Sequence, residues 1–77
     1  MENEFSVCQF FPDESYEYVK RFVGAEEAVQ TVKSLINSVG GRLGTTCRII
    51  ITDGLDCITL EWIFGKGVVF PPPQPEQ

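Results

Sequence analysis

The chain has 77 residues and a formal net charge of −5, with 43% hydrophobic and 22% charged residues. A chain of this length holds one domain, and its apolar content is that of a globular protein and not of a disordered one. Histidine is absent, which excludes the commonest general base and the commonest metal ligand.

The negative charge is concentrated at the start of the chain. Residues 1–17 carry five acidic and no basic side chains, whereas residues 18–77 carry six of each. Nucleic-acid binding requires a basic cluster, so we predict no nucleic-acid partner. The acidic segment is predicted to be a solvated edge; the alternative is an acidic decoy that binds a basic partner.

The N-terminal residues also bear on the location of the protein. They are acidic and lack the apolar run of a secretory signal peptide. No stretch approaches the roughly 18 apolar residues that a membrane span requires. We therefore predict a cytoplasmic protein with no membrane partner.

The first predicted elements are two β-rich runs, 5–11 and 16–23, on either side of a Pro-Asp-Glu-Ser turn. This pattern predicts a hairpin. With a four-residue loop, one face of that hairpin carries Phe5, Val7, Phe11, Tyr16, Tyr18 and Phe22. The opposite face carries Cys8, Phe10, Val19 and Val23.

The next element is a helix. Apolar residues recur every three or four positions from Ala25 to Val39, which is the stripe of an amphipathic helix. Glu26 and Glu27 lie in its first turn, where the helix dipole favours acidic side chains. Gly40-Gly41 is predicted to end the helix in a left-handed stop.

A second hairpin is predicted from residues 47–52 and 57–64, joined by Asp53-Gly54-Leu55-Asp56. In the second strand, Ile58, Leu60, Trp62 and Phe64 share one face, and a loop with an even number of residues places Cys47, Ile49 and Ile51 on that same face. A four-residue loop also puts Arg48 opposite Glu61 as a surface ion pair. Aspartates are ordinary turn residues, so we interpret Asp53 and Asp56 as turn formers and not as a cation site.

Residues 65–70 can add a short edge strand, but the prolines that follow cannot join a sheet. We therefore divide the chain into a domain, residues 1–70, and a Pro-rich tail, residues 71–77, predicted to be disordered. The Pro-x-x-Pro spacing in the tail leaves recognition by an SH3-like groove as the alternative. The predicted fold class is α+β: a mostly antiparallel four-stranded sheet in ββαββ order with one amphipathic helix packed on one face.

The cysteines offer little chemistry. The chain has an odd number of cysteines, Cys8, Cys47 and Cys57, and no two of them have Cys-x-x-Cys spacing. This is typical of reduced thiols and not of a zinc or redox site. Without histidine, the usual Cys-His nucleophile cannot be built. We predict no catalytic residue, no metal and no cofactor, and favour a protein that is not an enzyme.

The sheet exceeds what one helix can cover. Four strands make a sheet about 19 Å wide, and a helix covers only about 10–12 Å of it. Because both faces of the sheet carry apolar side chains, we predict a homo-oligomer, first of all a dimer, associated through the free face or an edge strand. The alternative is a monomer whose aromatic residues cap the ends of its own sheet.

These features predict a small, non-enzymatic protein-interaction or regulatory module that acts as a homo-oligomer and binds a protein or peptide. The alternative is a small-molecule or peptide-binding domain, or a small enzyme, with a pocket of aromatic and carboxylate side chains between subunits. The candidate interface residues are Tyr16, Tyr18, Phe22 and Trp62, and core packing is the default for Trp62. No motif of a known family is evident in these residues.

Overall fold

The computed structural model describes residues 3–72 and contains a five-stranded antiparallel sheet with two helices. The elements in chain order are β1 (Phe5–Phe10), β2 (Tyr16–Val23), α1 (Ala25–Ile36), α2 (Val39–Leu43), β3 (Arg48–Thr52), β4 (Ile58–Ile63) and β5 (Gly67–Phe70). The strand order is β2-β1-β3-β4-β5. The predicted α+β class and ββαββ order are confirmed, and β5 is the additional edge strand.

The predicted Pro-rich tail falls at the C-terminal limit of this range. Pro71 and Pro72 are exposed, and the remainder of the predicted disordered tail, residues 73–77, lies outside the described residues. None of the helices within residues 3–72 has the length and apolar character needed to cross a membrane.

The core lies between α1 and one face of the sheet. Ala28 and Val32, on the apolar stripe of α1, are buried with four strand residues. These four are Val7, Ile49, Ile51 and Trp62. Cross-strand pairing places them on one face, because Val7 lies opposite Ile51 and Ile49 lies opposite Trp62. The predicted shared face of β3 and β4 is therefore confirmed for Ile49, Ile51 and Trp62. It is wrong for Ile58, because a register shift between Ile51 and Thr52 pairs Ile58 with Thr52 on the other face.

The predicted end of the helix is wrong. α1 ends at Ile36, and Ser38 begins α2, where its hydroxyl accepts a hydrogen bond from the Gly41 N–H at 3.1 Å. Gly40 and Gly41 lie inside α2 and do not stop α1. The left-handed stop is Gly44, with φ 91°, at the end of α2.

Val39, which the apolar stripe placed in the helix, is consequently 73% exposed. The helical spacing of apolar residues continues past Ile36, but Ser38 caps the N-terminus of a second helix there. The spacing of apolar residues alone does not report such a break.

The register of the first hairpin also differs from the prediction. Phe10 pairs with Tyr16, and the loop is closed by a hydrogen bond from the Phe11 N–H to the Ser15 carbonyl. Glu14 occupies the left-handed region, with φ 73°, and the loop is one residue longer than expected. Since a shift of one residue exchanges the faces of a strand, Tyr16 lies beside Phe10.

The second hairpin is displaced by two residues, which preserves its faces. Arg48 lies opposite Ile63, and Ile50 lies opposite Glu61. The predicted ion pair between Arg48 and Glu61 is present, but it runs diagonally between these two cross-strand rows.

Candidate functional site

The candidate site is the face of the sheet opposite α1, which we call the open face. Its cross-strand pairs include Phe10–Tyr16, Cys8–Tyr18, Cys8–Ile50, Ile50–Glu61, Thr52–Ile58, Arg48–Ile63 and Glu61–Phe70. Side chains that lie directly opposite one another in antiparallel strands share a face. All five strands therefore contribute to this surface.

Aromatic side chains form one side of the open face. The rings of Phe10 and Tyr16 have centroids 5.7 Å apart, and those of Tyr16 and Tyr18 are 6.1 Å apart in an edge-to-face arrangement. Tyr16 is 61% exposed and Tyr18 is 43% exposed. Edge-to-face contacts of this kind fix the orientation of the rings, so these exposed rings form an ordered surface.

Arginines lie at both ends of this aromatic row. The Arg21 guanidinium carbon is 4.3 Å from the centroid of the Tyr18 ring, and that of Arg48 is 4.7 Å from the centroid of the Phe10 ring. These are cation–π distances. The residues Arg21, Tyr18, Tyr16, Phe10 and Arg48 make a continuous series of contacts from the edge strand β2 to the central strand β3, which we call the aromatic–arginine row.

The centre of the open face carries no net charge. Arg48 forms an ion pair with Glu61, and their side chains are only 35% and 21% exposed. The Arg48 Nε–H donates to a carboxylate oxygen of Glu61. Because Arg48 and Glu61 neutralise each other, another protein surface can cover them without burying an unpaired charge.

The apolar character of the open face continues beyond this row. Ile58 and Phe70 are 37% and 43% exposed, and Ile50 is half-buried between them and the row. Exposed apolar residues on ordinary monomers are mostly scattered singly over the surface. A group of them gathered on one face is typical of a binding surface.

Phe22 extends the site at the end of β2. It has φ 57°, which is unusual for a bulky residue, and its N–H donates to the Ser6 hydroxyl at 3.4 Å. The ring is 65% exposed and its centroid is 5.1 Å from the Arg21 guanidinium carbon. The irregular backbone thus holds the ring against Arg21 at the surface.

The structure brings together some of the candidate residues predicted from sequence and not others. Tyr16 and Tyr18 are in contact, and Phe22 joins them through Arg21. Trp62 lies on the helix side of the sheet and is only 7% exposed, in the core. Sequence reasoning missed Phe10, Arg21, Arg48 and Ile50 as members of the site. For Arg48, the predicted ion pair with Glu61 was a signal in the sequence that the residue lies on the face opposite Trp62.

The sheet edges are poorly suited to pairing with another strand. The β1–β2 ladder is interrupted by two register shifts, and Phe22 leaves the extended region near the end of β2. β5 has only four residues and is followed by Pro71 and Pro72, which lack N–H groups. Irregular, short or proline-terminated edges are the usual protection against edge-to-edge association.

A shallow cleft lies on the helix side, between α1 and β4, with a volume of about 120 Å³. It is lined by Phe5, Ala25, Ala28, Val29, Ile51, Thr59 and Leu60. Thr59 is the polar member of this lining, and carboxylates do not contribute to it. The cleft therefore differs from the pocket of aromatic and carboxylate side chains, which stays a prediction about an interface between subunits.

The described residues 3–72 contain no group of three or more side chains of the types His, Cys, Asp and Glu that could hold a metal ion. The turn residue Asp53 instead accepts hydrogen bonds from the Leu55 and Cys57 N–H groups at 2.8 and 3.0 Å. Asp13 accepts from the Ser15 N–H and hydroxyl, and these hydrogen bonds lower the pKa of the Asp13 carboxyl. Both aspartates thus stabilise turns.

The three cysteines differ in accessibility, and this leads to a prediction. Cys8 is buried in β1, which raises the pKa of its thiol, whereas Cys57 is exposed in the turn before β4. Because the thiolate is the reactive form, we expect a disulfide reagent at pH 8 to modify Cys57 roughly 100-fold faster than Cys8. Peptide mapping after timed labelling measures both rates. Comparable rates in the native protein would contradict the burial of Cys8, and Cys57→Ser should remove only the fast phase.

Comparison with known proteins gives no match to this chain: no protein-family model, no curated protein and no solved structure is significantly similar.

Proposed function

We propose that this protein is a small, non-enzymatic interaction module that acts as a homodimer, and that the open face binds the second copy. The observation that carries the proposal is the continuous, exposed aromatic and aliphatic surface on the side of the sheet opposite α1. A sheet with one helix-covered face usually buries its other apolar face against a second layer. The second copy supplies that layer.

The size of the open face suits a dimer. Five strands spaced about 4.8 Å apart, each about six residues long, give a surface of roughly 24 by 20 Å. This flat area of about 480 Å² is rather more than half of the ~800 Å² of accessible surface per partner that a standard interface buries. Two such faces pack about 10 Å apart in a sandwich.

The charges of the open face support a second copy as the occupant. An interface between identical copies brings the same patch of surface together twice, so a patch with one sign of charge would repel itself. Arg48 and Glu61 neutralise each other at the centre of the face. Identical open faces can therefore meet there without net repulsion.

The test is the oligomeric state of Ile50→Lys. Ile50 lies opposite Glu61, so a lysine there has a carboxylate nearby. Because Glu61 already neutralises Arg48, the centre of the open face would gain a net positive charge. We expect the wild type to have twice the 8.6 kDa chain mass in light scattering and sedimentation, and the variant to dissociate at least about 100-fold more readily.

The matched control is Val39→Lys, which makes the same change at an exposed position of α2, in the helix layer. It should remain dimeric with the affinity of the wild type. A wild-type mass of one chain at every concentration up to about 100 μM would overturn the proposal, since that concentration exceeds the Kd of ordinary specific complexes. A folded Ile50→Lys variant with unchanged affinity would also overturn it.

A further inference from the structure

The charges along the open face distinguish two ways of stacking it on a second copy. A two-fold axis between stacked faces lies in the plane between them, either along the strands or across them. An axis along the strands runs over β3, the central strand, and places Arg48 opposite the partner's Arg48. An axis across the strands makes each strand cross its own copy in the antiparallel direction and exchanges the two ends of every strand. Near Tyr18 such an axis follows the cross-strand row of Cys8, Ile50 and Glu61 and places Glu61 opposite the partner's Glu61. The Arg48–Glu61 pair therefore does not separate the two axes, and the charges of β2 have to do so.

The two ends of β2 carry opposite charges. The turn before β2 contains Asp13 and Glu14, which are both exposed, and Arg21 lies near the other end. Arg21 follows Tyr18 by three residues, which is about 10 Å along the strand. Glu14 lies in the turn, two residues before β2 begins at Tyr16, on the other side of Tyr18. An axis across the strands near Tyr18 therefore brings the acidic turn of one copy to the end of β2 that carries Arg21 in the other.

Arg21 is suited to receive a carboxylate. Its guanidinium carbon is 4.3 Å from the centroid of the Tyr18 ring and 5.1 Å from that of the Phe22 ring. A cation–π contact does not use the N–H donors at the edge of a guanidinium, which can bind a carboxylate in a bidentate manner. Among residues 3–72, no carboxylate forms an ion pair with Arg21, whereas its neighbour Lys20 is paired with Glu27 of α1 at 3.5 Å.

We propose that the two copies stack with their β2 strands antiparallel, and that Glu14 of each copy binds the partner's Arg21. The inference rests on the proposed homodimer and specifies its geometry. Glu14 is the binding carboxylate because Asp13 is already engaged by the Ser15 hydroxyl and N–H within the turn. The dimer then contains two equivalent Glu14–Arg21 ion pairs, one at each end of the crossed strands.

A charge exchange tests this geometry. Arg21→Glu places two acidic groups against each other in its homodimer, and Glu14→Arg places two basic groups there. We expect each homodimer to dissociate roughly tenfold more readily than the wild type. In an equimolar mixture the heterodimer has two matched pairs, so its Kd should return to within about threefold of the wild-type value. Native mass spectrometry separates the three dimers by mass.

Two controls make the same charge changes on α1, away from the open face. Glu26→Arg and Lys33→Glu lie at exposed positions of that helix, and their homodimers should keep the wild-type Kd. A third measurement does not depend on charge reversal: the wild-type dimer should weaken between about 0.05 and 0.5 M NaCl, since salt screens ion pairs. Glu14→Gln, a mild change at an exposed turn, should reduce that salt dependence.

The outcomes separate this geometry from the homodimer itself. A monomeric wild type overturns both proposals. A dimeric wild type whose Kd is unaffected by Arg21→Glu and Glu14→Arg overturns the Glu14–Arg21 pairing and leaves the homodimer intact. The same holds if both variants weaken but their mixture does not recover. If Arg21→Glu does not fold, an undiminished salt dependence in Glu14→Gln overturns the pairing.

Discussion

Replacing Gly41 with alanine is expected to lower the free energy of unfolding by about 2–4 kcal/mol. Changing glycine to alanine inside a helix usually raises it, by roughly 0.5–1 kcal/mol. Gly41 differs because a Cβ there would lie 2.6 Å from the Ile36 carbonyl oxygen and closer still to that of Leu35. Both oxygens are backbone atoms at the end of α1, so relief requires α2 to move away from α1.

Gly40→Ala is the matched control within the same short helix. A Cβ at position 40 would lie 3.1 Å from the Thr46 hydroxyl, a side-chain atom that donates to the Gln9 side-chain oxygen at 2.8 Å and has to shift by a few tenths of an ångström. We expect its free energy of unfolding to stay within about 1 kcal/mol of the wild type. Urea denaturation of both variants gives the comparison. Equal stability of the two variants would mean that α2 does not pack against the end of α1 as described.

These glycines also show where sequence reasoning about the helix stopped. A pair of glycines after an apolar stripe has two physical causes: a left-handed helix end, or a close approach that leaves no room for a side chain. Local sequence does not separate them, because the second depends on which carbonyl groups lie nearby. Gly41 is the second case, and the left-handed end is at Gly44.

The two hairpins show why one strand pairing was predicted better than the other. In β3 and β4 the apolar residues at Ile49, Ile51, Leu60 and Trp62 favour one face, and a displacement of two residues does not change it. β1 has large apolar residues on both faces, so alternation does not specify its register. The five-residue loop decides it, through the left-handed backbone of Glu14.

The same uncertainty of register limited the prediction of the site. Tyr16 and Tyr18 were expected at an interface, but on the face with Val7. The observed register moves them beside Phe10 and Cys8, on the open face. The contacts of Arg21 depend further on the irregular backbone at Phe22. The pattern of residue types does not predict this irregularity. The residues of the site were thus partly predictable, but their neighbours were not.

Ile49→Ala is the second large expected effect. Ile49 is fully buried and belongs to the core cluster with Val7 and Trp62. Truncation of a buried isoleucine leaves a cavity and costs about 2–5 kcal/mol. A domain of this size has a total stability of roughly 4–11 kcal/mol, so the variant should lose a large fraction of the stability of the monomer. Thermal unfolding followed by circular dichroism measures the loss.

Dimerisation through the open face should partly compensate this loss. Binding that occurs only in the folded state adds stability that grows with protein concentration, and Ile49 faces the helix layer, so its truncation leaves the open face intact. The Tm of Ile49→Ala should therefore rise with concentration. The double variant with Ile50→Lys should have a low Tm that does not change with concentration. If only the folded state dimerises, the Tm must depend on protein concentration. A Tm of Ile49→Ala independent of concentration would therefore show that association through the open face contributes nothing to stability.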